Sequence, residues 1–492
     1  MKTNSLDFDA RALREKILDL AMRGKLVKQD PNDEPASVLL EKIKAEKAEL
    51  VKEKKIKKSK PLPEITDDEK TFDIPESWEW VRLGDIGEIF AGGDKPKTFS
   101  KTKDKYHTIP IYSNGVENKG LYGFTNKARV YNPAITLSAR GTIGHVEYRK
   151  KPYLPIIRLI SFVPYNEEYL NCIFYFLQSE KLIEKGDGSS IPQLTVPKLK
   201  PKLIPFPPLS EQSRIAAKIA QLFALLRKVE SSTQQYAELQ TLLKSKVLDL
   251  AMRGKLVEQD PHDEPASVLL EKIKAEKEQL IKEKKIKKSK PLPPISDEEK
   301  TFEIPDSWEW VRLGDVTNFV GTGMVIPANK QFDTFTSQML PYFKMNNIGN
   351  WDGEFGVNNW TYVLKTQNSD NYLLKSGQLL FNTRNSRELV GKTTIVPDNL
   401  NKKILANNNI LRIESFGKMK LKYINYYLIS PFSRHMFLNM TAATTNVAAI
   451  YQKQLNKLLV PLPPLEEQKR IVKKIDQLFI LLKRDKNYKK VK

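Results

Sequence analysis

A stretch of this chain is written twice. Leu13–Asp85 recurs at Leu243–Asp315 with an offset of 230 and 60 of 73 positions identical. LDLAMRGKLV, DEPASVLLEKIKAEK, KEKKIKKSKPLP and SWEWVRLGD stand in both copies, while the sequence after each copy is unrelated. A second repeat sets Pro207–Leu226 against Pro463–Leu482 with an offset of 256. The segment 207–315 thus matches the C-terminus with its first part and the N-terminus with its second. The two chain ends together rebuild one copy of it, overlapping by six residues. This circular order reads as a closed two-unit ring opened inside one scaffold element, with a pseudo-two-fold and adjacent termini as its simplest geometry. Equal mounts carrying unequal inserts place the function in the inserts.

The mounts are helical. From Leu209, apolar residues at Ile215, Ile219, Leu222, Leu226 and Val229 alternate spacings of four and three, a heptad seam that drifts on through Leu239, Leu243, Val247 and Leu250. Pro207-Pro208 opens this helix and Gly254 is positioned to close it. About 46 residues at 1.5 Å each predict a rod of roughly 65–70 Å. Its counterpart is split between Ile471, Ile475, Leu478 and Leu482 at one chain end and Leu13, Ile17 and Leu20 at the other. A continuous and a split rod packed antiparallel satisfy the pseudo-symmetry. Shorter helices follow, Ala36 to about Lys55 and Ala266 to about Lys285, with seams at Val38, Ile43, Leu50 and Val268, Ile273, Leu280. Each copy then passes a proline-punctuated link into SWEWVRLGD. There Trp78 and Trp80, like Trp308 and Trp310, alternate at strand period and point to core packing rather than base stacking.

The inserts, about 86–206 and 316–462, read as short strands broken by Gly, Asn and Pro with one helix near the end. Tyr169-Leu170-Asn171 is echoed by Tyr423-Ile424-Asn425 there, so the two inserts are expected to share a fold. The net charge of +22 asks for a polyanionic partner or a bland source. Residues 40–61 and 270–291 each hold nine lysines against four glutamates, so ten of the 22 excess charges sit in two short segments that solvated helix ends explain equally well. The rest is spread widely, and a basic surface that neutralises phosphates accounts for it better.

In the first insert the candidate nucleic-acid contacts are Lys95, Lys97, Lys101 and Lys103, then Tyr112, Ser113 and Asn114, then Arg140 and Thr142 in a Gly-containing turn. In the second they are Lys344, Asn346, Asn347, Arg384, Asn385, Arg387 and Lys392, within Asn-rich loops. Arg pairs bidentately with guanine edges and Asn with adenine edges, while Lys holds phosphates. Against this stands the simpler role of Asn and Gly as turn formers.

No Walker A loop, Rossmann glycine loop, Cys/His cluster or Asn-Pro-Pro-aromatic methylation motif is present, and the four histidines are scattered. The chain therefore reads as non-catalytic, with no cofactor or metal of its own. A single cysteine, Cys172, precludes an internal disulfide. With no signal-like apolar run and no stretch near the ~20 residues a membrane span needs, a cytoplasmic location without membrane association is expected. A basic coiled-coil scaffold for protein interactions is the alternative; it explains the seams but not the charge or the Arg/Lys/Asn loops.

PPLxEQxRI leading into a long helix, LDLAMRGKLVxQDPxDEPAS after it and PxSWxWVRLGD opening each insert, all duplicated in circular order, resemble the specificity subunit of Type I restriction-modification systems over essentially the whole chain. LSARGTIG at 137–144 and LLFNTRNS at 379–386 look like parts of that family's target-recognition domains. The resemblance implies an α+β protein with two β-rich recognition domains, 76–206 and 306–462, on long antiparallel coiled-coil helices drawn from 1–75, 207–305 and 463–492. It implies double-stranded DNA as ligand, one half of a bipartite site per domain, and helices acting as a ruler for the gap. Those helices would also dock two methylation subunits using S-adenosylmethionine, in a complex with two restriction/translocation subunits using ATP and magnesium. Ile215, Ile219, Leu222, Leu226, Ile471, Ile475, Leu478 and Leu482 are the expected helix seam and docking positions.

Overall fold

The computed structural model describes residues 9–179, 193–441 and 447–484. They form two compact units, one ending at Thr233 and the other beginning at Gln234. In the first, helices α1 (Ala10–Met22) and α2 (Ala36–Lys52) precede strands β1 (Glu79–Arg82), β2 (Gly87–Ala91), β3 (Ile109–Tyr112), β4 (Leu121–Thr125), β5 (Ala134–Ser138), β6 (Val146–Arg149), β7 (Leu154–Pro155) and β8 (Leu159–Pro164). Helix α3 (Leu170–Ser179), a single turn α4 (Val196–Leu199) and β9 (Leu203–Phe206) lead into the 44-residue α5 (Leu209–Met252), within which the two units divide.

The second unit repeats the plan. Helix α6 (Ala266–Lys282) is followed by β10 (Glu309–Arg312), a turn of helix α7 (Leu313–Val316), β11 (Thr317–Thr322), β12 (Met339–Phe343), β13 (Thr361–Leu364) and β14 (Leu379–Asn382). Strands β15 (Arg384–Asn385), β16 (Thr393–Ile395), β17 (Leu405–Ala406) and β18 (Ile410–Ser415) come next, then helices α8 (Leu421–Leu428) and α9 (Pro431–Met440). Strand β19 (Ala448–Ala449), helix α10 (Gln452–Asn456), β20 (Leu459–Leu462) and helix α11 (Leu465–Arg484) complete it.

The strand orders match sheet for sheet: β2-β8-β5-β6 against β11-β18-β14-β16, β4-β3-β7 against β13-β12-β17, and β1-β9 against β10-β20. Only β15-β19 lacks a counterpart among the described residues. The inserts share a fold, as expected. The YLN/YIN echo is not part of that correspondence. Tyr169 stands just before its helix, donates to the Ile86 carbonyl and packs on Phe206, whereas Tyr423 lies inside α8, bonds the Pro461 carbonyl and packs on Trp308.

Central strands such as β5 and β14 are buried on both faces and read as unbroken apolar or small-polar runs for that reason. The same site in the two cores is filled in opposite ways. A Cβ on Gly87 would come within 2.4 Å of the Phe162 ring, so glycine accompanies the large residue. In the second unit Thr317 takes the glycine's register and Ile413 the phenylalanine's.

Incoming and outgoing strands of each insert lie side by side, Glu79 opposite Phe206 and Glu309 opposite Leu462. Buried networks copied between the units lock this neck. Trp78 Nε1 donates to Glu211 Oε2 (2.8 Å) and Gln29 Nε2 to Glu211 Oε1 (2.6 Å). Trp308 and Gln259 treat Glu467 the same way, at 2.9 and 2.6 Å. Arg214 grips Asp33 with two bonds, as Arg470 does Asp263. Below the strands, buried Arg82 donates to the Pro63, Glu64 and Pro201 carbonyls and bidentately to Glu69; Arg312 repeats this pattern onto Glu299. Trp78 and Trp308 are thus core residues with one satisfied polar atom.

Two helix expectations change. Ile215, Ile219, Ile471 and Ile475 are fully buried, in clusters that mix mount and insert: Ile215 and Ile219 join Leu18 of α1 together with Trp78 and Phe176. Leu222, Leu226, Leu478 and Leu482 are half-buried. The seam does not continue through Leu239 and Leu243, which are 57% and 51% exposed; Gln240 is the buried position and donates to the Leu482 carbonyl at 2.7 Å. A face repeating every 3.5 residues rotates around a helix of 3.6, so the stripe buried at 215–219 has moved off by 239. On α2 the buried stripe is Ala36, Leu39 and Ile43, with Val38 exposed. Among the described residues no helix is long and apolar enough to cross a membrane.

Candidate nucleic-acid interface

Sheet register decides which loops meet. In the first unit Ala91 faces Ile160 and Ser138 faces Leu159, so the ends of β2 and β5 and the start of β8 share one end of the four-stranded sheet. The Ile156 amide donates to the Tyr112 carbonyl (2.9 Å), bringing the end of β3 alongside. Residues 92–93, 113–114, 139–140 and 156–158 therefore cluster there. Asn114 Oδ1 accepts from the Ala139 amide at 3.1 Å, and Arg140 directs Nε and Nη2 at Gln193 Oε1, at 3.0 and 2.7 Å. Thr142 is exposed in the following turn, and Ser113 is half-buried. Tyr112 presents its ring to the buried Arg149 guanidinium, 3.6 Å from the centroid, which makes it more a packing residue than an open ligand surface.

The lysine loop is built separately. Lys95 and Lys101 hold Nζ 4.1 and 4.0 Å from the rings of Phe99 and Tyr122, which face each other at 5.5 Å. Paired amides of Ser100 and Phe124 pin this loop along β4, while Lys97 and Lys103 stay exposed. Cations stacked over half-buried aromatics at an exposed loop are suited to a polyanion.

The same junctions recur in the second unit. Thr322 faces Leu411, Asn382 faces Ile410 and the Asn407 amide donates to the Phe343 carbonyl at 3.0 Å. The loops after β11, β12 and β14 and the turn before β18 therefore gather at one sheet end. The Leu194 amide bonds the Ala139 carbonyl and the Ile450 amide the Thr383 carbonyl, so Arg140 and Arg384 are one structural position. Arg384 and Arg387 are exposed, and Asn385 Oδ1 accepts from the Ser386 amide. Lys344 Nζ reaches Gln331 Oε1 at 3.0 Å, and Asn346 is exposed.

Two expected contacts lie inside the domain instead. Asn347 is 1% exposed: Oδ1 caps the Lys344 amide and Nδ2 donates to the Val357 carbonyl. Lys392 is 6% exposed, donates to the Ile348 carbonyl at 2.9 Å, and burial lowers its pKa. Both belong to loops so polar that sequence alone places them outside; each donates to a carbonyl of another loop, Val357 for Asn347 and Ile348 for Lys392.

Sequence reasoning missed the turn Ile156–Arg158 and its counterpart Asn407–Asn409. It also missed Gly92 and Gly323 beside them, where a Cβ would meet the crossing backbone at 2.8 and 2.1 Å. The glutamates and arginines of the neck carried a readable signal, since they stand unchanged in both repeats.

Comparison with known proteins agrees with this organisation. The profile of the Type I restriction modification DNA specificity domain matches residues 75–240 and 305–491. The specificity subunit of the Type I restriction enzyme EcoAI from Escherichia coli is 36% identical, with 96% of this chain and 89% of that protein covered. The EcoEI specificity subunit, also from Escherichia coli, is 31% identical over the same shares. A solved chain from a study of type I R-M system assembly and conformational transition superposes with a TM-score of 0.51 at 20% identity, covering 85% of this chain and 94% of that one, a likeness of fold. Matched twice by the family's domain and along nearly all its length by such relatives, the chain belongs to the family of Type I restriction-modification DNA specificity subunits.

Proposed function

We propose that this chain is the non-catalytic sequence reader of a Type I restriction-modification complex, with one half of a bipartite DNA site read by each insert. The carrying observation is that two domains of one strand order, on copied necks, present different side chains at the same sheet end. The domains are taken as 76–206 and 306–462, with 1–75, 207–305 and 463–492 as helical mounts that pack as antiparallel coiled coil about a pseudo-two-fold and set the gap. Base contacts are assigned to Asn114, Arg140, Thr142, Arg384, Asn385 and Arg387, and phosphate contacts to Lys95, Lys97, Lys101, Lys103 and Lys344.

Two methylation subunits, which would bring S-adenosylmethionine, dock on the mounts, and two ATP- and magnesium-dependent restriction subunits complete the cytoplasmic complex. Large apolar side chains left exposed on α5, at Leu225, Val229, Leu239 and Leu242, support such docking.

The test is a long-read map of adenine methylation with the neighbouring methylation subunit co-expressed and this chain present or deleted. A split motif that vanishes on deletion is the expected result. Replacing 86–206 with another such insert should then change one half-site and leave the other half and the gap alone. An unchanged map with the partner expressed would leave a protein-interaction scaffold.

A further inference from the structure

Ile157 and Arg158 form the only consecutive pair among the described residues, apart from Asn118-Lys119, in which both non-glycine residues hold positive φ, at 43° and 60°. A β-branched residue in that region is a genuine outlier, and such strain persists only where its surroundings over-determine it. Here they do. The Ile157 amide donates to the Gly93 carbonyl (2.9 Å), Ile156 to Tyr112 (2.9 Å) and Gly92 to Leu159 (2.7 Å), while Ile156 is fully buried. The pinned turn lifts Ile157 to 50% exposure, with Arg158 exposed beside it and without a side-chain partner among the described residues. A large apolar side chain and a guanidinium without a side-chain partner among the described residues thus emerge from a pinned backbone at the sheet end that also carries Asn114 and Arg140.

The second unit shows that the fold does not require this. Asn408 and Asn409 occupy the same turn, with the Asn408 amide on the Met324 carbonyl as Ile157 is on Gly93. Neither is at positive φ, and the Asn409 amide bonds Asn407 Oδ1 in an ordinary side-chain-supported turn. A relaxed solution exists on the same scaffold, yet the first unit keeps a strained one that exposes Ile and Arg.

We propose that the Ile157–Arg158 turn is a specificity-determining element of the first domain. Arg158 donates to a base edge, guanine being the base whose acceptor pair fits its fork, and Ile157 makes an apolar contact with the neighbouring base. This rests on the DNA-reading function proposed above.

The experiment uses the full chain co-expressed with its methylation partner, mapping methylated motifs for wild type, Arg158→Ala, Arg158→Lys and Ile157→Gly, with melting temperatures of the purified complexes. Arg158→Ala is expected to relax one position of one half-site by roughly tenfold to hundredfold, the scale of one lost bidentate contact. Arg158→Lys keeps the charge but not the fork and should relax the same position. Ile157→Gly suits the left-handed backbone, so it should hold or raise the melting temperature while relaxing an adjacent position. The other half-site and the gap stay fixed. Unchanged motifs in Arg158→Lys and Ile157→Gly overturn the inference. So does a uniform loss over all sequences at unchanged melting temperature, the signature of phosphate contact alone. A wild-type map without any split motif removes the DNA reading itself, and is distinguishable because no variant is needed to see it.

Discussion

Two residues beyond the central strand of each domain stands an arginine, and the two arginines are held differently. Arg140 is tethered through two nitrogens to Gln193, whereas Arg384 has Ala449 opposite it in β15-β19 and extends into solvent. The adjoining turns diverge as well, strained Ile-Arg in one domain and relaxed Asn-Asn in the other. Beneath these differences every sheet pairing except β15-β19 is kept. Backbone pairing and neck networks fix where a side chain emerges, and the residues at those exits are free to vary. Two surfaces of different chemistry can then be presented from one geometry without refolding either.

The sharpest way to break this comparison is in the core. Gly87→Thr, copying the second domain into the first, should cost about 3 kcal/mol because its Cβ meets the Phe162 ring at 2.4 Å. Adding Phe162→Ile, the second domain's residue, should recover the part of that loss set by the ring but not the part set by the Val163 carbonyl 2.7 Å away, as read in urea unfolding, and a purely additive double mutant would deny that the two positions compensate. Next in size are Glu211→Ala and Glu467→Ala. Each strands a buried indole N–H and a glutamine amide, at a cost of about 1–3 kcal/mol. Thermal unfolding should show equal losses, and a clear inequality would mean that the copied necks are not energetically equivalent.

Exchanging the tethers probes the reading surface more gently. Gln193→Ala should free Arg140, and Ala449→Gln should restrain Arg384; binding assays on full-length complex should show a few-fold change, roughly 1 kcal/mol, confined to one half-site in each case. Identical behaviour of both half-sites would blunt the comparison.

Acid offers the smallest effect. Arg82, aided by the Thr66 amide, holds the Glu69 carboxyl down to about 2, and Arg312 lowers Glu299 likewise. Because the folded values lie below the ordinary 4.5, this contribution is full above that pH and disappears as pH falls toward 2. Glu69→Gln and Glu299→Gln should each flatten the acid limb of the stability curve slightly and alike, as followed by circular dichroism.

Legibility in the sequence followed how local each feature is. The duplication made the helices and their proline starts readable, since identity over 60 positions needs no structure to interpret, whereas the shared insert fold was expected from a tripeptide echo that the structure does not align. Arg140 and Arg384 were readable because each sits in a polar turn directly after an apolar run. The Ile157–Arg158 turn was not, because its place beside Arg140 depends on Ser138 pairing with Leu159 across the sheet. Lys392 and Asn347 misled for the opposite reason: polar loops look exposed, yet their side chains satisfy buried carbonyls that no spacing rule reveals. The helix seam failed where a heptad extrapolated over many turns accumulates rotation.

The paired incoming and outgoing strands also define how each insert bears load. Tension arriving along the chain from residue 78 and from residue 207 would open β1 from β9 at the Glu79–Phe206 end and peel its hydrogen bonds singly, the weakest mode for a sheet. The bonds from Trp78 and Gln29 to Glu211 lie just ahead of that end and join the two incoming strands of force before either reaches the sheet. The bonds from Trp308 and Gln259 to Glu467 repeat the arrangement, so in both inserts a side-chain clasp rather than the strand pair meets such a load first.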